Sequence, residues 1–150
     1  EMTSFVAMFA DQIKYLSALN TAGQSVRNAI IQANKAQIMD GAFDKTTLLI
    51  SKGGLQKVAG ESAQASTGKI TVTWTKPTAT NFTANAKLIA VMVQQATGLV
   101  EVAEAAADAE TLSGNMTFEN GNVDVYVYYL DKRGSNKVAS ISDYISVTVA

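Results

Sequence analysis

The stretch VDVYVYYLDKRGSNKVASISDYISVTV, Val123 to Val149, decides the fold class. Val123, Val125, Val127 and Tyr129 alternate with Asp124, Tyr126, Tyr128 and Leu130. A period of two, dense in β-branched and aromatic residues, is the pattern of a strand with one buried face. The polar run Asp131 to Asn136 reads as a connection, and alternation resumes at Ile145, Val147 and Val149, with Tyr144, Ser146 and Thr148 opposite. Two antiparallel strands of this kind are not stable alone and need a second layer over their apolar face. The remainder of the chain is expected to supply it.

Upstream, the period of two runs back to Phe43. Thr46 to Leu55 is expected to be a first strand, punctuated by Gly53-Gly54, and Glu61 to Gly68 a loop of small polar residues. In KITVTWTKP, Ile70, Val72 and Trp74 share one face, and Pro77 ends the strand because it cannot donate to a ladder. Lys87 to Gln95 is almost continuously apolar, as in a strand covered on both faces. Thr97-Gly98 turns the chain into a short strand at Leu99, Val100 and Val102. Ala103 to Ala109 has helical composition but is too short for a stable helix, and is read as a loop. It feeds a strand over Thr111 to Phe118, and Asn120-Gly121 then signals a hairpin turn.

Further upstream the period is helical. Met2, Phe5, Phe9, Ile13 and Leu16 recur at spacings of three and four, so a first helix, capped by Thr3 or Ser4, is expected to run to about Asn20. Thr21 and Gln24 stand at capping-box spacing. A second helix is expected over 22–39, burying Val26, Ala29, Ile30 and Ala33, with Asp40-Gly41 as its stop. The organisation that follows is mostly β: an N-terminal helical arm of two helices over 1–42, then an immunoglobulin-like β-sandwich of about seven strands over 43–150.

Composition bounds the chemistry. A chain of 150 residues buries roughly 70% of its unfolded surface without cross-links. It has no cysteine and no histidine, which removes disulfides, thiol nucleophiles, Cys/His zinc centres and histidine bases. A net charge of −1 carries no electrostatic footprint for nucleic acid. No apolar run approaches the ~20 residues of a membrane-spanning helix, and no signal peptide is evident. Glu1 falls immediately inside a helical pattern, which is read as a processed or trimmed end, or as a chain seen only in part.

KITVTWTKP, the apolar strand at Leu88 to Val93, VDVYVYYLDKRGSN and SDYISVTV, in this order, resemble a fibronectin type III or immunoglobulin-like sandwich. A broader resemblance covers nearly the whole chain. The succession of helix, DKTTLLISKGGL, ITVTW, AKLIAVMV, VDVYVYYLDKRGSNKVAS and YISVTVA is similar to a Bacteroidota family catalogued only as a domain of unknown function. Members usually carry a glycine-rich segment ahead of the helix, which this sequence does not show. The resemblance implies no activity, cofactor or catalytic residue. The hairpin signal at Asn120-Gly121 departs from the fibronectin pattern, whose equivalent connection crosses between sheets.

Several motifs invite a functional reading. Asp44-Lys45-Thr46-Thr47 looks like the phosphorylated aspartate of ion pumps, but precedes an expected strand instead of following one and lacks the next glycine. Glu101, Glu104, Asp108 and Glu110 offer oxygen ligands without the spacing of a calcium loop. Gly53-Gly54 lacks the Lys-Ser/Thr pair of a phosphate cradle. Asn81-Phe82-Thr83 and Asn115-Met116-Thr117 match the glycosylation triplet, which is common by chance. No two acids are placed opposite one another by the sequence pattern. Tyr126, Tyr128 and Tyr144 form a candidate surface aromatic patch that stacks on sugar rings or makes a protein contact, or else pair across strands to stabilise the sheet. Trp74 shares a face with core residues and is expected inside.

The stripe Met2, Phe5, Phe9, Ile13 and Leu16 is flanked by Val6, Met8, Tyr15 and Leu19, more apolar surface than one packed face needs. It is therefore the candidate interface with other protein subunits, in a homo-oligomer or a larger assembly. The expectation is a non-enzymatic structural module without cofactor or metal, part of a phage virion or a bacterial or extracellular surface assembly. The alternative is a glycan- or cell-surface-binding module using the tyrosines. Without His or Cys, thermal melts with and without micromolar zinc, nickel or calcium are expected to coincide, because a ligand of the native state raises the melting temperature. A clear rise in zinc would contradict this.

Overall fold

The computed structural model describes residues 1–19, 21–39 and 41–150. Its strands are β1 (Ala59–Ser66), β2 (Lys69–Thr75), β3 (Lys87–Gln94), β4 (Leu99–Ala106), β5 (Thr111–Ser113), β6 (Gly121–Arg133), β7 (Asn136–Ala139) and β8 (Asp143–Val149). They form two sheets of antiparallel strands. The smaller has the order β1-β2-β5. In the larger, β4, β3 and β6 are successive neighbours, and the far side of β6 is shared by β8 over residues 121–127 and β7 over 130–133.

The period of two in β6 places two sets of apolar side chains on opposite faces. Val123, Val125, Val127 and Tyr129, with Leu88, Ala90 and Met92 of β3, pack against Ile70, Val72 and Trp74 of the small sheet. Tyr126, Tyr128 and Leu130, with Ile89, Val91 and Val93, pack beneath the N-terminal helical segments. The large sheet is thus the middle of three layers, and β3 and β6 are buried on both faces. That β3 would be covered on both sides is borne out; β6, expected to have one wet face, has none.

The helical layer differs from two long helices. It comprises α1 (Met2–Ala7), a 3₁₀ turn at Ala10–Ile13, α2 (Val26–Ala33) and α3 (Lys35–Met39). Phe9, at φ −127°, breaks the first helix, and the 3₁₀ turn keeps Ile13 on the same side. The second begins later than Thr21: Ala22 and Gly23 both have positive φ, and the working cap is Ser25, whose Oγ accepts from the Asn28 amide at 3.1 Å. The expected helix end near Asn20, and the Asp40 half of the Asp40-Gly41 stop, lie outside the described residues. Among the described residues no helix is long and apolar enough to cross a membrane.

Residues 46–55 form no strand because their backbone partners are mainly side chains and the kink between β7 and β8. The Asn34 carboxamide accepts from the Leu49 amide at 2.8 Å and donates to the Leu49 and Ile30 carbonyls, both at 2.7 Å. Ser142 Oγ accepts from the Ile50 amide, Ser51 Oγ donates to the Ser140 carbonyl, and the Leu55 amide donates to the Ala139 carbonyl. Gly53 lies so close to that bend that a Cβ there would stand 1.9 Å from the Ala139 oxygen.

Three other expectations change. The polar run after Ala59 is strand β1, an edge whose small residues Ala63 and Ala65 pack inward. β4 continues to Ala106 because its ladder to β3 outweighs the helical propensity of its alanines. β5 stops at Ser113, where the Glu101 carboxylate takes the Asn115 and Met116 amides at 2.7 and 3.1 Å. The chain then crosses from the small sheet to the large one, so Asn120-Gly121 does not close a hairpin between sheet neighbours. The polar stretch at Asp131 is the end of β6, joined to β7 by a turn at Gly134.

Trp74 is 4% exposed and its indole N–H donates to the Ala107 carbonyl at 2.9 Å. Its fluorescence is expected to be blue-shifted and resistant to iodide, and Trp74→Ala to cost about 3–5 kcal/mol in urea denaturation. Freely quenched, red-shifted emission with little loss of stability would contradict the burial.

Candidate functional site

The two sets of residues singled out as an interface and as a surface patch meet one another inside the chain. Phe5 and Phe9 each stand 6.3 Å from the ring of Tyr126, and Phe5 and Phe9 make an edge contact at 5.9 Å. Tyr126 in turn meets Tyr144 edge-on at 5.3 Å. Met2, Phe5, Phe9 and Ile13 are buried, and Leu16 is half-buried at the border of the same core. Tyr126 and Tyr128 have no exposed surface, and Tyr144 is half-buried. Both expectations are therefore corrected. The stripe covers this chain's own sheet, and the tyrosines lie beneath it, because β6 is a central strand with a layer on each side.

Each of these phenols reaches a polar partner. Tyr126 donates to the Lys45 carbonyl at 2.5 Å, Tyr128 to the Leu16 carbonyl, and Tyr144 to Asp124 Oδ1 at 2.6 Å. Burial, reinforced by the Asp124 charge, raises the Tyr126 pKa well above the usual phenol value, and burial does the same for Tyr128. Tyr144 is pushed up to about 12 by burial and by its bond to Asp124. None of the three can ionise near neutral pH.

Asp124 is wholly buried. Its Oδ1 also accepts from Asn122 Nδ2 at 3.1 Å, and its Oδ2 pairs with Lys45 Nζ at 3.0 Å. Lys45 comes from the Asp44-Lys45-Thr46-Thr47 motif, which forms a 3₁₀ turn over Lys45–Thr47. Asp44 caps that turn, its Oδ1 accepting from the Thr46 amide at 2.9 Å and hydroxyl at 2.7 Å, which lowers its carboxyl pKa. The motif joins the exit of the helical layer to the sheet, and its aspartate is a cap.

The most perturbed carboxyl lies elsewhere. Between Ala59 and Ser62 the pairing of β1 with β2 slips, with Gly60 at φ +67°, and this bulge brings Glu61 against Asp143, the first residue of β8. Lys57 Nζ stands 3.6 Å from Asp143 Oδ1. Burial, then the hydrogen bond to Asp143 and its charge, push Glu61 up to about 7. Asp143 moves the opposite way: burial would raise it, but the bonds from Glu61 and the Tyr144 amide, with Lys57, lower it overall. The opposite shifts place the proton of the pair on Glu61, facing the Asp143 carboxylate, at pH below about 7. Glycosidase carboxyl pairs stand ≈ 5 Å or more apart with the sugar between them; these two bond each other directly. No sequence spacing relates residues 61 and 143. The one local signal is Gly60 ahead of an acid in a run of otherwise small, uncharged residues.

Two of the four acids that suggested calcium serve the backbone. Glu101 holds the Asn115 and Met116 amides, and Glu110 accepts from the Lys76 amide at 3.2 Å. Among the described residues no group of three or more acidic side chains gathers to hold a metal. In the Asn81 triplet, the Thr83 hydroxyl is engaged by buried Asp131 at 2.5 Å. A groove of about 260 Å³ opens beside Leu16, lined also by Lys87, Ile89, Glu104, Leu130 and Lys132.

Comparison with protein-family models and with curated proteins yields no match.

Phe9→Ala is expected to cost about 3–5 kcal/mol in chemical denaturation, and Phe9→Asp with Ile13→Asp to unfold the chain by burying unpaired charges. A double variant with wild-type near-ultraviolet circular dichroism and melting, but altered self-association, would return the stripe to the role of an interface.

Proposed function

We propose that the chain is a non-enzymatic structural module of a larger protein assembly, of the sort that builds a virion or a bacterial surface. One observation carries this reading: the buried polar groups each tie one element to another. Asn34 holds the 48–50 segment, and Ser51, Ser140 and Ser142 hold it to the β7–β8 bend. Asp131 clamps the loop before β3 through Thr83 and bonds Arg133. Gln94 binds both backbone groups of Glu119. A scaffold organised in this way transmits force and presents surfaces. The crossing of the chain between sheets from β5 to β6 supports reading the two-sheet body as related to immunoglobulin or fibronectin sandwiches, with the helical layer as an addition.

The contact with other subunits moves from the buried stripe to the outside of the helical layer. There Tyr15 is 70% exposed, the large apolar side chain most open to solvent among the described residues, with Lys14 Nζ 5.0 Å from its ring centre. The glycan-binding alternative loses its platform, since Tyr126 and Tyr128 are inside.

Light scattering of the protein purified from its source, with identification of accompanying chains, tests the proposal. The expected mass exceeds the 15.8 kDa of one chain, and Tyr15→Ser is expected to lower it without changing the melting temperature. A monomer with no partner, or retention on a glycan array abolished by Tyr15→Ser, would overturn the proposal.

A further inference from the structure

On one side of the molecule the two sheets come together, β1 running close beside β8. Both are edge strands: β1 pairs only with β2, and β8 only with β6. The small side chains of Ala63 and Ala65 permit the approach, and Ile145, Val147 and Val149 meet them in the same core. At one end of this seam stand Glu61 and Asp143.

We infer that Glu61 and Asp143 form a proton-dependent latch on the β1–β8 seam, closed while Glu61 carries its proton and released when the proton is lost. With the proton in place, Glu61 donates to Asp143, and one acid and one carboxylate share a hydrogen bond. Without it, two carboxylates face each other across the seam. Glu61 Oε2 is sealed from solvent, so the new charge is poorly hydrated. The groups facing Glu61 are Asp143 from β8, Tyr129 from β6, and Lys57 just ahead of β1. Tyr129, held up at about 12 by burial and then by the charges of Glu61 and Glu110, stays neutral. The backbone amide of Glu61 and, after it, Lys57 favour the ionised form, and the Lys57 side chain is 54% exposed, so solvent screens it.

The sign follows from linkage. The Glu61 carboxyl rises from 4.5 to about 7 in the folded seam. Its contribution is complete below pH 4.5 and is lost as the pH rises through about 7. Asp143, whose pKa is lowered from 3.8, acts in the opposite sense and only at more acidic pH. The chain has no histidine, the side chain that ordinarily titrates between pH 5 and 8, so little else changes charge in this window.

Hydrogen exchange followed by mass spectrometry between pH 5 and 8, corrected for the intrinsic rate, tests the latch. The opening equilibrium of β1 is expected to rise about tenfold per pH unit between pH 5 and 6.5 and to level off above 7.5, since one proton is released on opening. β3 and the middle of β6 are expected to change little. Glu61→Gln, which keeps a donor to Asp143, is expected to remove the pH dependence. A carbon-13 titration of the Glu61 carboxyl provides a second reading that needs no variant, with an expected midpoint near 7. A midpoint near 4.5, an unchanged profile in Glu61→Gln, or a loss of protection spread evenly over all strands would each overturn the inference. Asp143→Asn is expected to return the Glu61 midpoint toward its ordinary value, and a midpoint unmoved by that change would equally refute the pairing.

Discussion

Neither face of β6 can meet water. Its alternate side chains are valines and a tyrosine on one side, tyrosines and a leucine on the other, and all are buried. Leaving either set wet forfeits roughly 1.5–3 kcal/mol for each large apolar side chain. A sheet containing such a strand must be the middle of three layers. The small sheet and the helical segments are the two covers, and the remaining topology serves to deliver them to opposite sides. The N-terminal segments are short and irregular because their task is to tile a surface, which several short helical pieces do as well as one long rod.

Tiling with short pieces exposes many backbone ends, and the buried polar side chains answer that cost. Asn34 offers a carboxamide where a neighbouring strand would offer a peptide unit, so residues 48–50 lie against the helix without joining a sheet. The serines at the β7–β8 bend do the same from the other side. Lys45 and Asp124 form an ion pair between layers through Oδ2, while Tyr144 and Asn122 both bond Oδ1. Such a pair adds little net stability, but losing one partner leaves a buried charge, so it enforces one registration of the cover on the sheet.

The legible parts of this fold were those where local pattern and burial agree. β2, β3 and β6 carry strong apolar alternation or runs, and each stands where that pattern places it. β1 was illegible because an edge strand of small and polar residues has the composition of a loop. The second half of β4 was hidden by alanines that favour helix in isolation. The tyrosines misled for a related reason. Asp124, Tyr126 and Tyr128 in alternation look like a wet face, and only the apolar stripe far upstream, packed across them, shows that they are not. That stripe, a surplus by its own pattern, is the missing cover. The Glu61–Asp143 pair had no signature, since a bulge in one edge strand and the start of another bring it together.

Tyr128 and Leu16, joined by a hydrogen bond, are 112 positions apart. This separation dictates an order of events during synthesis. The helical segments leave the ribosome first, and the sheet face they cover does not exist until β6 has emerged. At about 5–20 residues per second, the apolar stripe waits several seconds without its cover. During that interval Met2, Phe5, Phe9 and Ile13 are a sticky patch on an unfinished chain. The strands made later decide whether the residues made earlier are safe from aggregation, so a nascent chain cut short before β6 leaves its apolar stripe uncovered.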